Sequence, residues 1–200
     1  AIDVVLSHEN LFCVTVLTAN NNSALLISQA RLLKPKNVVI VNKDKYKEVA
    51  DALSSLPITV HCGRHALEDV VRRDDVDVVL TALVGFSGLK PTISAIKSKK
   101  DIALANKETL VVAGKYIMSL SEEYEVKILP VDSEHSAIYQ CLVGERPSTV
   151  EKIYLPASGG PFLNKEKKDL LKDNPVARTA AGDRPWIACL LYTSDAADEE

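Results

Sequence analysis

No two of the four cysteines stand at C-x-x-C spacing. Cys13, Cys62, Cys141 and Cys189 are scattered along the 200 residues, a distribution that argues against a disulfide frame and for reduced thiols. Cys13 and Cys141 lie in apolar sequence surroundings and read as small core residues. There is no basic run, and the net charge of -3 speaks against nucleic acid as a major partner. No apolar stretch is long enough to cross a bilayer, which leaves no reason to expect a membrane role. No signal peptide is recognisable, the first residue is Ala1 rather than Met, and a cytoplasmic protein is expected. A G-x-G-x-x-G turn is also missing, so the usual opening of a dinucleotide-binding sheet is not found. What remains is ordinary globular composition, 46% hydrophobic and 26% charged, enough for one domain or one domain and part of another.

The first two-thirds alternates short β-branched runs with helical stretches. Strands are expected over Phe12–Leu17, Asn37–Val41, Ile58–His61, Val76–Thr81, Asp101–Leu104 and Val126–Leu129. Apolar spacings of three and four predict helices over Ser23–Leu33, Lys43–Leu56, Leu89–Ser98 and Lys107–Ser121. Continuous apolar strands such as Val76 to Leu80 suit a parallel sheet covered on both faces. The alternation implies right-handed βαβ crossovers in a Rossmann-like, doubly wound α/β fold. Ala1 to Val5 resembles the helix that follows a phosphate loop, so the first strand of such a sheet is expected to be missing. Residues 1–131 form the expected nucleotide-binding domain, and residues 132–188 begin a partial α/β catalytic domain. That second part holds a strand at Val150–Leu155 and a short helix at Asn164–Leu171. Residues 189–200 read as the translation of a sequencing adaptor and are set aside, with residues 179–188 also suspect.

Pro130-Val131-Asp132-Ser133-Glu134-His135-Ser136 holds the most specific chemistry. If strand alternation continued past Leu129, Asp132 and Glu134 would put two carboxylates on one face. Paired oxygen ligands suit Mg²⁺ or Mn²⁺ rather than zinc. The alternative is a helix start with Ser133 as N-cap and acids in its first turn. His135 is either a third ligand or a helix-surface residue, while His8, His61 and His65 have no ligand spacing. In Asn106-Lys107-Glu108, the asparagine can cap a helix and the glutamate suits its first turn. Lys107 opposes the helix dipole, as a solvated lysine or as a cation facing an anionic ligand. Ala82-Leu83-Val84-Gly85-Phe86-Ser87-Gly88 could let a flat cofactor lie against backbone, or be an ordinary βα loop. Asn20, Asn21 and Asn22 stand where NAD readers place an acid; their neutrality favours NADP, and a capping turn explains them as well. Ser158-Gly159-Gly160 offers a hydroxyl and two open amides, an oxyanion cradle or a tight turn.

Taken in order, A-N-K-E-T-L-V, P-V-D-S-E-H-S-A-I-Y-Q and S-G-G-P-F, with the loop A-L-V-G-F-S-G-L-K-P-T, closely resemble the 1-deoxy-D-xylulose 5-phosphate reductoisomerase family. The resemblance runs from Ala1 to about Leu171. It implies an NADPH-dependent enzyme with Mg²⁺ or Mn²⁺ that forms 2-C-methyl-D-erythritol 4-phosphate in isoprenoid biosynthesis. It makes Asp132 and Glu134 metal ligands and catalytic, with Lys107 meeting the phosphosugar substrate near the nicotinamide. Ser133, Glu134 and Ser158 would contact substrate. Asn106 and Glu108 would line the cofactor site, with Ala82, Leu83 and Val84 along it and Asn20, Asn21 and Asn22 at its adenosine end. The implied chemistry is a metal-assisted carbon-skeleton rearrangement followed by hydride transfer. The family's glycine-rich loop, its third carboxylate ligand and its C-terminal helical domain have no counterpart here, so the parent is expected to be active, as a homodimer, and the 200 residues alone inactive. Trp186 is given no role. Two other readings remain: another NAD(P)-dependent dehydrogenase of aspartate-derived aldehydes, and a non-catalytic nucleotide-binding module.

Overall fold

The structure, a computed structural model, describes residues 1–154. It divides into two compact units, Ala1–Leu129 and one beginning at Pro130. The expectations at Ser158 to Phe162, Asn164–Leu171, Trp186 and Cys189 lie outside the described residues.

The first sheet is β1 (Val16–Ala19), β2 (Asn37–Ile40) and β3 (Thr59–Cys62), in that spatial order and parallel throughout. The second is β4 (Val78–Thr81), β5 (Asp101–Leu104) and β6 (Ile128–Pro130) in that order, with β4 and β5 parallel. Parallel neighbours need long crossovers, and helices supply them. Between the parallel pairs these are α2 (Ser23–Leu33), α3 (Tyr46–Leu53) and α5 (Leu89–Lys97); α4 (Arg64–Val70) links the two sheets, α6 (Lys107–Tyr124) joins β5 to β6, α1 (Ile2–Ser7) precedes β1 and α7 (Ser133–Leu142) follows β6.

β2 shows why the fold is doubly wound. Successive strand residues face opposite ways, and Val38, Val39 and Ile40 are all fully buried. Val38 and Ile40 pack with Leu26 and Ala30 of α2 and Val49 and Leu53 of α3. Val39 packs the other way, against Ala66, Leu67 and Val70 of α4. In the second sheet, Ile102 and Leu104 meet Leu89, Ala95 and Ile96 of α5 with Ile117 and Leu120 of α6.

Four expectations need correction. The sheet is not covered on both faces throughout: Val78 and Leu80, two residues apart on β4, are 52% and 45% exposed, because no helix of the described residues covers that side. Cys13 and Cys141 are exposed rather than core residues. Cys13 precedes β1 and has no sheet partner, and no residue of α7 is buried. The strand expected from Val150 is absent through Tyr154, since no described segment pairs with it. The stretch Lys43–Leu56 is a 3-10 turn at Lys43–Lys45 followed by α3.

Asp75 ties the lead-ins of three strands together. Its carboxylate accepts from Arg73 Nε at 2.8 Å and from Lys36 Nζ at 2.9 Å, and its carbonyl accepts from Thr15 Oγ1 at 3.1 Å. The Arg73 hydrogen bond, then that of Lys36, holds the Asp75 carboxyl well below the usual carboxylate range. A depressed folded-state value stabilises the protein above the unfolded value, about pH 4, and that stability is lost as pH falls toward the folded one. Asp75→Asn is therefore predicted to lower the thermal midpoint at neutral pH, with the gap to the parent closing below about pH 4. A gap that stays constant across a pH series of melting curves would contradict this role.

Candidate functional site

In open α/β sheets, ligands gather beyond the carboxyl ends of the strands. The register aligning Ala19 with Ile40 brings the loops after β1 and β2 side by side. Asn22 caps α2, its Oδ1 accepting from Leu25 N at 3.0 Å. Asn21 Oδ1 accepts from Asn42 Nδ2 at 3.1 Å, and Asn20 O accepts from Asn42 N at 2.9 Å. The three asparagines are exposed. Asn42 completes this edge and was not singled out by sequence. Its signal was an asparagine two residues before Asp44, whose amide its side chain caps at 2.9 Å.

Beyond β4 and β5 lies a second loop pair. Thr81 O accepts from both Ala105 N (3.1 Å) and Asn106 N (2.8 Å), closing the strand ends together. From here the chain enters α6 with Asn106 as N-cap and Lys107 and Glu108 in the first turn. The 82–88 loop runs beside it: Ala82 is exposed, Leu83 half-buried and Val84 85% exposed. Phe86, 62% exposed, is a second residue that sequence reasoning passed over; it stood in the quoted loop, but nothing in the spacing marked which way its ring would face. The loop's Gly85–Gly88 turn leads into α5, and Gly85 takes φ +64°, a conformation that favours glycine.

In the second unit, β6 ends at Pro130 and α7 starts at Ser133. Strand alternation therefore does not reach Asp132 and Glu134, and helix geometry places them instead. Asp132, not Ser133, is the N-cap: its Oδ1 accepts from His135 N at 3.4 Å, and its carbonyl accepts from Ser136 N at 2.8 Å. Ser133 Oγ donates to Glu134 Oε2 at 2.8 Å. His135 Nδ1 lies 3.3 Å from Asp132 Oδ1, whose side chain is 11% exposed. Two carboxylates thus stand at the positive end of a helix, where negative charge is favoured. They are hard oxygen donors suited to Mg²⁺ or Mn²⁺. Among the described residues, no group of three or more His, Cys, Asp or Glu side chains could hold a metal. Ser158 lies outside the described residues. No helix among the described residues is long and apolar enough to cross a membrane.

Comparison with known proteins bears on the family of the chain. The family model for 1-deoxy-D-xylulose 5-phosphate reductoisomerase matches residues 1–114, and that for the enzyme's C-terminal domain matches residues 128–185. The 1-deoxy-D-xylulose 5-phosphate reductoisomerase of Bacteroides thetaiotaomicron is 56% identical over 198 residues, 98% of this chain and 50% of the relative. That of Chloroherpeton thalassium is 50% identical over 167 residues, 84% of this chain and 43% of the relative. Among solved structures, the Zymomonas mobilis reductoisomerase in complex with NADPH superposes with a TM-score of 0.76 at 34% identity, covering 88% of this chain and 46% of that one. A reductoisomerase in complex with NADPH, fosmidomycin and magnesium gives 0.73 at 30% identity, covering 87% and 45%. The chain spans about half the length of the curated relatives it matches.

Proposed function

The chain belongs to the 1-deoxy-D-xylulose 5-phosphate reductoisomerase family, and on that premise we propose what its residues do. They supply the NADPH-binding domain, and the start of the metal-binding domain, of an enzyme converting 1-deoxy-D-xylulose 5-phosphate to 2-C-methyl-D-erythritol 4-phosphate. Turnover belongs to a protein of the relatives' full length, acting in the cytoplasm as a homodimer. The observation that favours this over a simple dehydrogenase is the pair Asp132 and Glu134 at the start of α7, a carboxylate pair that hydride transfer alone does not require.

The donor set fits the implied groups. Asp132 and Glu134 would hold Mg²⁺ or Mn²⁺, and the exposed Asn20–Asn22 edge, neutral at the three positions where NAD readers place an acid, would take the adenosine end of NADPH. Val84 and Phe86, both exposed, would offer apolar surface of the kind a flat ring packs against. When bound, the metal supplies Lewis-acid polarisation of substrate oxygens and the nicotinamide supplies hydride. The protein's part is orientation and charge. Lys107, in the first turn of α6, would neutralise anionic oxygen on the substrate, an electrostatic contribution that grows as water is excluded. Ser133 and Ser158 would hold substrate oxygens by hydrogen bonds, and Glu108 would border the cofactor.

The test is substrate-dependent loss of NADPH absorbance by the complete protein, with Mg²⁺ and again with a chelator. Oxidation that stops on chelation and returns with Mg²⁺ or Mn²⁺ is the expected result. Oxidation indifferent to chelation would instead favour a metal-independent dehydrogenase.

A further inference from the structure

No acid stands at Asn20, Asn21 or Asn22, yet the fold brings one to that edge from another helix. Ser23, the first residue of α2, is buried, and its Oγ donates to Glu48 Oε1 at 2.8 Å. Glu48 lies in the first turn of α3. Its other oxygen, Oε2, accepts from Lys45 Nζ at 3.1 Å. The Ser23 hydrogen bond, then that of Lys45, lowers the Glu48 carboxyl from its ordinary value, so it is fully ionised at neutral pH.

An exposed Lys–Glu pair three residues apart contributes little to stability and holds neither partner in one place. Here Ser23 fixes the carboxylate at the start of α2, next in sequence to the Asn22 cap. The turn carrying Lys45 is tied to the same edge. Asn42 N donates to Asn20 O, Asn42 Nδ2 donates to Asn21 Oδ1, and Asn42 Oδ1 accepts from Asp44 N. The side chains of Lys45 and Glu48 are 44% and 46% exposed, within reach of a ligand on the edge. An ammonium has three hydrogens, and Glu48 takes one of them. A bare carboxylate at this place has two opposite consequences for a nucleotide. It repels a phosphate, and it accepts from a ribose hydroxyl, which is how an acid selects NAD in dinucleotide-binding domains. With Lys45 on the carboxylate the repulsion is offset, and a cation is presented beside it.

We propose that Lys45 and Glu48 set the preference of this protein for NADPH over NADH: Lys45 masks the Glu48 carboxylate and donates to the 2′-phosphate, so that removing the lysine uncovers an acid that favours the ribose hydroxyl instead. This rests on the proposed function in taking the Asn20–Asn22 edge as the seat of the adenosine end. Lys45→Gln is the informative variant. It keeps a long polar side chain on the turn, loses the cation, and leaves Ser23 holding an unmasked carboxylate. Adding Glu48→Gln then removes the uncovered charge.

The complete protein, Lys45→Gln, and Lys45→Gln combined with Glu48→Gln are each titrated with NADPH and with NADH. Lys45→Gln should weaken NADPH binding roughly 10- to 100-fold, the worth of a charge-assisted hydrogen bond, without weakening NADH. The combined variant should regain NADPH affinity several-fold, because no uncovered charge then opposes the phosphate. Melting midpoints should stay with the parent's, since an exposed pair contributes little to stability. An unmoved ratio of NADPH to NADH affinity in Lys45→Gln overturns the proposal, as does an equal loss of both nucleotides. A shifted ratio that Glu48→Gln does not restore overturns the masking and leaves Lys45 a phosphate contact alone. An equal shift in Lys43→Gln, on the same turn, assigns the effect to the turn's net charge and overturns the pair. If the parent binds neither nucleotide, the proposed function and the inference resting on it fall together. A parent that prefers NADPH, with the ratio unmoved in both variants, overturns the inference alone.

Discussion

Asp132→Asn should leave α7 folded and raise the Mg²⁺ requirement of the complete protein at least about a hundredfold, since loss of even an outer-shell partner costs roughly 10- to 100-fold in metal affinity. The variant separates the cap seen in the structure from the ligand role proposed for the same carboxylate. As N-cap, Asp132 accepts from His135 N, and asparagine caps about as well as aspartate. As a metal ligand it needs its charge, which asparagine lacks. Asp132→Ala should lose both, adding about 1 kcal/mol of helix destabilisation to the metal defect. Turnover titrated with Mg²⁺, alongside melting curves, reads the two effects separately. An unchanged Mg²⁺ requirement in Asp132→Asn would leave Asp132 as a cap alone.

Ile102→Ala should give the largest loss of stability, about 2–5 kcal/mol. Ile102 is fully buried in the middle strand of the second sheet, between residues of α5 and α6. Truncation removes transfer energy and leaves a cavity that the packed helices close only in part. Val84→Ala, at an exposed position, should stay within about 0.5 kcal/mol. Urea unfolding midpoints provide the comparison. Equal midpoints for the two variants would contradict the packing of β5 described above.

Where a segment's signal is local, sequence reads it correctly. The helix Ser23–Leu33 is found residue for residue, because its apolar period and its Asn22 cap lie within one stretch. The strand Asp101–Leu104 is equally exact. Phe12–Leu17 was placed early: its ladder begins with Thr15 O accepting from Asn37 N, a partner twenty-odd residues away that no local pattern reveals. The helix Arg64–Val70 was not anticipated. It has seven residues, starts after Gly63 at φ +90°, and buries only Ala66, Leu67 and Val70, too short a run to establish a period.

The same distinction governs the candidate site. The acidic motif, the Asn106 turn and the 82–88 loop were legible as chemistry, since residue types at strand ends are visible in one dimension. Their arrangement was not. Asn42 joins Asn21 only through the parallel register of β1 and β2. Asn106 and Gly88, eighteen positions apart, meet only because β4 and β5 end side by side. The strand ends at Pro130 and the helix starts at Ser133, so alternation never reaches Asp132 and Glu134, which turns a presumed facing pair into a cap and a first-turn acid.

The most direct test of the central claim is the structure of the product made by the complete protein from 1-deoxy-D-xylulose 5-phosphate, NADPH and Mg²⁺, read by nuclear magnetic resonance. The account predicts a branched carbon skeleton, 2-C-methyl-D-erythritol 4-phosphate, formed in step with one NADP⁺ per molecule. A reduced but unbranched sugar phosphate, or intact substrate beside unspent NADPH, would contradict it.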